Sequence, residues 1–507
     1  KDLIMSDIIF INPKEKRVLG PFDFLVAKSV PLGLGYLAAY LMERNYTVKI
    51  IDEEVEKLTA EKIKNLTDRE NQLFGISCMT PNVSRGYELA DLIKRVHPKS
   101  TVVFGGIHPT VAPNEVLGRL SIDLVVRGEA EPVIEEIINR HRDGSEFKDI
   151  LSCSYRDNGN IVHKPIAPLI DINILPDVPY HLFDSKVYDM GFVISSRGCP
   201  YNCVFCSQRA INGNKYRYRT TEKVISELQK LVNNYSPSNI VFFDDIFTIH
   251  KKRVYELCDG IIKNGLNTRT EFTMVTRGDC VDDDLLKRLK EANFTGLAFG
   301  VETASEELMK MIDKKETVQD IVNGIRLAKK YDFVVDTVFI YGLPGETRAD
   351  RVDAFNLARS LEVAKARFNC ATPYPGTRLY EIAKKENNLT KVGDWENFHP
   401  TGVLTAAKVF EFPLPYYPKG STKEEIIMDV IQANMLYFLE PKRLWELIKN
   451  SFDRKGAKWL VLPQKWYLDA HYIASVIKVI LINFQRLTWL IKWKIQGRLL
   501  TQFRKGK

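Results

Sequence analysis

Twice along this chain of 507 residues, short apolar runs alternate with segments of helical periodicity. Near-continuous apolar strands separated by helices belong to parallel sheets covered on both faces, so the fold class is α/β. In the first block, strands are expected at Asp7 to Asn12, Thr47 to Asp52, Leu73 to Thr80, Thr101 to Gly106 and Leu124 to Gly128. Helices are expected there at Leu34 to Arg44 and Ser84 to Val96. Asp157-Asn158-Gly159-Asn160 reads as a hairpin turn, and Pro165, Pro168, Pro176 and Pro179 mark an extended linker. The second block predicts strands at Phe192 to Arg197, Ile240 to Asp244, Arg269 to Thr276, Gly296 to Glu302, Val334 to Tyr341 and Ala366 to Cys370. Helical patterns such as Thr221 to Asn234, Asp282 to Ala292 and Val318 to Lys330 lie between them. Six β/α units predict a parallel, partly closed barrel with its chemistry on the carboxyl-end loops. After about Asn388 the pattern breaks, and Thr422 to Leu439 is helical in period. The expected organisation is therefore 1–165, a linker at 166–190, a barrel at 191–390 and a mostly helical region at 391–507.

Composition narrows the class. Hydrophobic residues at 45% and charged ones at 27% are globular values and argue against wholesale disorder. Eight cysteines are too few for a disulfide scaffold of this length. No basic-then-apolar leader opens the chain and no run of 18 apolar residues lacks a charge, so a cytoplasmic protein is expected. From Glu440 to Lys507 there are 15 Lys and Arg against 4 Asp and Glu, a balance of +11 within a net +8, which leaves −3 for the rest. Basic stripes across the body are missing, so nucleic acid is not an expected partner.

The sharpest chemical signal is Cys199-Pro-Tyr-Asn-Cys203-Val-Phe-Cys206, preceded by Arg197-Gly198 just past an expected strand. Three thiols on one short loop can converge on an iron–sulfur cluster and leave one iron of a 4Fe-4S cluster open. A zinc site would want a fourth Cys or His at a paired spacing, and none follows nearby. Cys78, Cys153, Cys258, Cys280 and Cys370 are scattered and read as small buried hydrophobes.

This spacing resembles the signature of the radical S-adenosylmethionine (radical SAM) superfamily, and the resemblance extends over about 200 residues. It implies a TIM-type (β/α)6 partial barrel and three ligands, Cys199, Cys203 and Cys206. Phe205 matches the aromatic near the adenine. Phe243-Asp244-Asp245 stands where the family contacts the methionyl amine, with Asp244 and Asp245 undecided between them. Gly300-Val301-Glu302-Thr303 resembles the ribose motif, with Glu302 as hydroxyl acceptor. Ile340-Tyr341-Gly342-Leu343-Pro344 matches the adenine motif, which assigns Ile340 and Gly342 to S-adenosylmethionine. Pro373-Tyr374-Pro375-Gly376-Thr377 resembles a sequence of cobalamin-linked members.

The N-terminal loops resemble the Rossmann-like cobalamin-binding domain found ahead of many such barrels. On that resemblance the corrin contacts are Leu32, Gly33 and Leu34; Cys78, Met79 and Thr80; Gly105, Gly106, His108, Pro109 and Thr110; and Gly128 with Glu129. The Asp-x-His-x-x-Gly motif of an axial histidine is missing, so corrin would bind without one. His108 reads better as a packing or tail-contacting residue than as a ligand. A domain with no cofactor is the competing reading.

The implied chemistry is a 5′-deoxyadenosyl radical acting on an unactivated carbon of a lipid, isoprenoid or tetrapyrrole substrate, with an external flavodoxin- or ferredoxin-type electron donor. C-methylation is favoured over ring formation of the porphyrin or lipid type. A cobalamin-binding sensor would not need the cysteine triplet. Five of the six tryptophans (Trp445, Trp459, Trp466, Trp489 and Trp493) lie in the basic tail. Ile473 to Trp493 is apolar but interrupted by Lys478, Arg486 and Lys492, which suits lying in an anionic membrane interface. That predicts a peripheral association with the inner face of the membrane, and packing of the same segment as a helical cap is compatible with it. Replacing Cys199, Cys203 and Cys206 together by Ala is expected to abolish bound iron, sulfide and 5′-deoxyadenosine formation. A full iron complement in that variant would contradict the ligand assignment.

Overall fold

The computed structural model describes residues 6–15, 28–389, 393–406, 408–440 and 484–502. The first block forms a seven-stranded sheet in the order Val48–Asp52, Ile8–Asn12, Leu73–Ser77, Thr101–Gly105, Leu124–Val126, Cys153–Asp157, Asn160–His163. The first five strands run parallel. The last two form an antiparallel hairpin whose turn residues Asn158 and Gly159 both have positive φ, as an Asn-Gly turn requires. Side-chain alternation divides strand Ile8–Asn12 between two cores: Ile8 and Phe10 pack with helices Leu32–Met42 and Ile134–Asp143, Ile9 and Ile11 with helix Val83–Val96. The third strand stops at Ser77, short of the expected Thr80, because Asn82 accepts the Met79 N–H and starts a helical turn. Helix Leu32–Met42 begins two residues earlier than expected and is buried nearly all round. At Gly35 a Cβ would stand 2.8 Å from Val178 Cγ1, so the linker lies directly on this helix.

The second block forms a six-stranded sheet in chain order, Phe192–Val193, Asn239–Phe242, Glu271–Thr276, Phe294–Glu302, Val334–Tyr341 and Lys365–Cys370, parallel throughout. Helices Thr221–Tyr235, Lys251–Lys263, Asp283–Glu291, Val318–Lys330 and Arg348–Leu361 cover its outer face. One expected strand is corrected. Phe192 to Arg197 is not continuous, since pairing ends at Val193, and Ser196–Arg197 pairs antiparallel with Arg217–Tyr218 instead. The cause is the Asp244 carboxylate, which accepts the N–H groups of Ser195 (2.7 Å) and Ser196 (3.1 Å) and takes the backbone away from the ladder.

The last strand, Lys365–Cys370, would leave a raw edge, and helix Lys423–Phe438 covers it. Asn434 donates to the Phe368 carbonyl at 2.8 Å and accepts the Phe368 N–H at 3.3 Å. Asp429 on the same helix, fully buried, pairs with Arg351 at 2.9 Å and Arg348 at 3.3 Å. A helix at 484–495 turns Arg486, Leu490 and Trp493 inward, and Trp489 meets Phe410 edge-on at 5.2 Å. Trp445, Trp459, Trp466 and Lys478 lie outside the described residues. Among the described residues no helix is long and apolar enough to cross a membrane. Removing one partner of a buried ion pair strands the other charge, at about 3–5 kcal/mol. Asp429→Ala is therefore expected to lower folding stability by about that amount in urea denaturation; a loss below about 1 kcal/mol would mean that the helix holds the edge without the pair.

Candidate active site

The cysteine loop leaves the sheet through Gly198, whose φ of +88° and close approach to the Lys215 carbonyl leave no room for a Cβ. Neighbouring elements hold the loop on several sides. The Val204 N–H donates to the Ile312 carbonyl at 2.9 Å, the Leu379 N–H donates to Val204 O at 2.9 Å, and the Arg277 guanidinium lies 3.7 Å over the Tyr201 ring. Cys199 and Cys203 are half-buried and Cys206 is exposed. Desolvation pushes the thiols of Cys203 and Cys206 up to about 11; charge on Cys206 adds to the shift at Cys203, and charges on Asp245, Cys199 and Glu302 to that at Cys206. Three thiolates here would repel one another and the nearby carboxylates. An iron–sulfur cluster, ligated by thiolates and bringing iron's positive charge, fits that donor set. Among the described residues no three His, Cys, Asp or Glu side chains, these three thiols included, stand close enough together to hold one metal ion.

The two neighbouring aspartates, alike in sequence, are separated by the fold. Asp244 is buried and its carboxylate is fully engaged: it accepts from the backbone and hydroxyl groups of Ser195 and Ser196 and pairs with Arg253 at 3.4 Å. Asp245 is half-buried, accepts from Gln208 Nε2 at 2.6 Å and from the Gly198 backbone, and has its carboxyl pushed up by burial. Glu302 closes its strand in the left-handed region at φ +65°. Its carboxylate folds back over Gly300, where a Cβ would collide with it, and meets Lys314 Nζ at 3.3 Å. Burial raises its pKa while Lys314 opposes the shift. Phe205 and Ile340 are half-buried, whereas Gly342 is buried at φ +91° with its N–H donated to Glu346.

The first-sheet loops sort into a surface and its backing. Gly33 and Met79 are exposed, Met79 by 54%, and Gly105, Gly106, Thr110 and Gly128 are half-buried. At Gly33 and Gly105 a Cβ would meet nothing within 4 Å, which leaves an open shelf. Gly106, at φ +97°, presses on the Cys78 backbone, and Thr110 ties the shelf together by donating to Gly106 O (2.7 Å) and accepting the Gly128 N–H (3.0 Å). Leu32, Leu34, Cys78, Thr80, His108, Pro109 and Glu129 are buried behind it. His108 faces Thr80 Oγ1 with Nδ1 (3.2 Å) and Glu115 with Nε2 (3.5 Å), beneath Trp395 at 5.1 Å between ring centroids. Both ring nitrogens thus face protein. An open shelf of small residues, with the His108 ring turned to Thr80 and Glu115 behind it, fits the broad face of a corrin.

The carboxyl ends of the two sheets face each other. Helix Ile107–Val111, after the fourth parallel strand, packs on helix Arg209–Asn212, just past the cysteine loop. Val111 fits against Gly376, where φ is +80° and a Cβ would stand 2.6 Å from Val111 Cγ1. Trp395 Nε1 donates to Glu115 Oε1 at 2.7 Å, which returns the chain after the barrel to the first sheet. Sequence reasoning missed Gln208, Lys314 and Trp395, since nothing in their spacing marks them.

Two family models match the chain: the Radical SAM superfamily over residues 193–358 and the B12 binding domain over residues 25–138. An uncharacterised methyltransferase of Pyrococcus horikoshii is 33% identical over 464 residues, covering 89% of this chain and 96% of that protein. An anaerobic magnesium-protoporphyrin IX monomethyl ester cyclase of Cereibacter sphaeroides is 27% identical over 431 residues, covering 82% and 68% respectively. Among solved structures, the cobalamin-dependent S-adenosylmethionine radical enzyme OxsB with aqua-cobalamin and S-adenosylmethionine bound has the same fold, with a TM-score of 0.67 at 16% identity over 98% of this chain and 81% of that one.

The thiol shifts have a measurable sign. With their pKa values pushed up to about 11, these thiols are less ionised at pH 7 than an ordinary cysteine. In the cluster-free protein, alkylation of Cys203 and Cys206 is expected to be slow at pH 7 and to rise about tenfold per pH unit until close to pH 11. Asp245→Asn removes a negative charge and should speed alkylation of Cys206; no change would take Asp245 out of the thiols' field.

Proposed function

The chain belongs to the radical SAM superfamily and carries a B12-binding domain, and we propose that it methylates an unactivated carbon of a hydrophobic substrate. The observation that carries the reading is the meeting of two carboxyl edges, with the cysteine loop on one and the corrin shelf on the other. A substrate held between them would reach both cofactors. When bound, the cluster supplies the electron that cleaves S-adenosylmethionine to the 5′-deoxyadenosyl radical, and cobalamin carries the methyl group.

The residues of this chain bind and orient. Cys199, Cys203 and Cys206 hold the cluster. Asp245 takes the methionyl amine, since its carboxylate has capacity to spare while that of Asp244 is engaged in shaping the loop. Glu302 accepts the ribose hydroxyls, and Phe205, Ile340 and Gly342 border the adenine. Gly33, Met79, Gly105, Gly106, Thr110 and Gly128 meet the corrin, with Leu32, Leu34, Cys78, Thr80, His108 and Pro109 supporting them. The corrin unit is 1–165, the linker 166–190, the barrel 191–390 and the helical region 391–507. A flavodoxin- or ferredoxin-type donor supplies electrons from outside.

The tail is read as a membrane contact at the cytoplasmic face. Phe484, Leu487, Ile491 and Ile495 form an exposed stripe on the helix at 484–495, Ile495 exposed by 82%. Lys492, Lys494 and Arg498 stand beside it, exposed. An apolar stripe flanked by basic residues suits an anionic lipid interface, at about 1 kcal/mol per engaged Lys or Arg. Replacing Ile491 and Ile495 by Ser is expected to release the protein from anionic liposomes at low salt. Equal retention of variant and parent would exclude this face.

The reaction is tested with anaerobically reconstituted enzyme, methyl-labelled S-adenosylmethionine, and extracted lipids and pigments. Label in a product fixes methylation; an unlabelled product formed with 5′-deoxyadenosine points to ring formation, which the similarity to the porphyrin-ester cyclase keeps open. A hydrogen bond to a charged acceptor contributes about 1.5–3 kcal/mol, so Glu302→Ala is expected to weaken S-adenosylmethionine binding roughly 10- to 150-fold with the cluster retained. An unchanged dissociation constant would remove Glu302 from the site.

A further inference from the structure

Glu129 and Glu131 follow the fifth parallel strand of the first sheet, and both reach into the second block. Arg197 Nη1 donates to Glu129 Oε1 at 3.0 Å and Nη2 meets Glu131 Oε1 at 2.9 Å. Arg217, on the strand that pairs with Ser196–Arg197, donates to both Glu129 oxygens at 2.9 and 2.7 Å. All four side chains are withdrawn from solvent, none exposed by more than 16%. The Arg197 guanidinium also lies 5.9 Å from the ring of Tyr36, on the helix that begins at the corrin shelf.

Only Gly198 separates Arg197 from Cys199, and its left-handed backbone is pressed on the Lys215 carbonyl. On the other side of Arg197, Ser195 and Ser196 are tied to Asp244. A shift of Arg197 therefore passes directly into the cysteine loop. Two carboxylates and two guanidiniums balance in charge. A buried network of that kind does more for register than for net stability, because its desolvation offsets much of its attraction.

We propose that Glu129 and Glu131 are positioning residues that act through Arg197 to fix the cysteine loop against the corrin shelf, and are not themselves corrin contacts. The inference rests on the reading that the two cofactors face each other, but not on which product forms.

The test uses holoenzyme reconstituted with the cluster and hydroxocobalamin, and no substrate, so a failed methylation assay leaves it untouched. In Glu131→Gln and in Arg197→Gln, backbone hydrogen exchange over residues 195–206 is expected to quicken about tenfold, the equivalent of about 1.4 kcal/mol. The double variant should exchange no faster than the faster single one, since the two side chains act as a unit. Arg197→Lys, which keeps the charge but not the fork, should fall between. Iron, sulfide and corrin contents should hold, exchange in strand Val334–Tyr341 should not change, and the EPR signal of the reduced cluster with S-adenosylmethionine should broaden. Loss of corrin with unchanged exchange at 195–206 would make the carboxylates corrin contacts and overturn the proposal. Additive effects, or faster exchange in Val334–Tyr341 as well, would also overturn it.

Discussion

The carboxylate of Asp244 decides where the cysteine loop stands. Without it, Phe192 to Arg197 has the composition of one continuous strand. By taking the N–H groups of Ser195 and Ser196, Asp244 ends the parallel ladder at Val193 and turns the backbone toward Arg217. A buried carboxylate is costly unless its oxygens are satisfied; here two backbone donors, two hydroxyls and Arg253 satisfy them. The diverted backbone then reaches Gly198, where the left-handed turn opens the loop that carries the three thiols.

Around that loop the fold gathers acidic groups and thiols whose ionisation burial disfavours, with Lys314 and Arg277 as the nearby cations. Cys203 and Cys206 resist ionisation, Asp245 and Glu302 are pushed up by burial, and Lys314 is shared between Glu302 and Glu316. The corrin shelf is the opposite case: its exposed positions are small or apolar, and its polar atoms are spent on one another behind the surface. One edge carries the thiols among buried carboxyls, and the other presents an open shelf of small residues. Val111 against Gly376 and Arg197 between Glu129 and Glu131 keep the two edges together.

Periodicity made both sheets legible, because strands buried on both faces read as apolar runs and amphipathic helices fill the gaps. The Asn158-Gly159 hairpin was equally plain, since its turn demands positive φ at both positions. The break after Val193 was not legible, as its cause lies 49 residues away in sequence. Asp244 and Asp245 stay undecided in the sequence for a related reason: both are acceptors, and their different surroundings come only from partners brought by the fold. The buried faces of His108 and Glu129 depend on Trp395 and Arg197 respectively, contacts that no local spacing encodes. The tail was read from its composition and the spacing of its basic residues; its helix at 484–495 turns Leu490 and Trp493 inward, Trp493 beside Phe410, and exposes the stripe ending at Ile495.

The central claim is that two cofactors face each other across one junction. It is tested most directly by EPR on holoenzyme in which cobalt is held as cob(II)alamin and the cluster is reduced, so that both are paramagnetic. The account predicts a resolved dipolar interaction between the two spins in the wild-type protein, lost when Cys199, Cys203 and Cys206 are replaced and the cluster with them. Two stoichiometric, non-interacting spectra from the same molecule would contradict it.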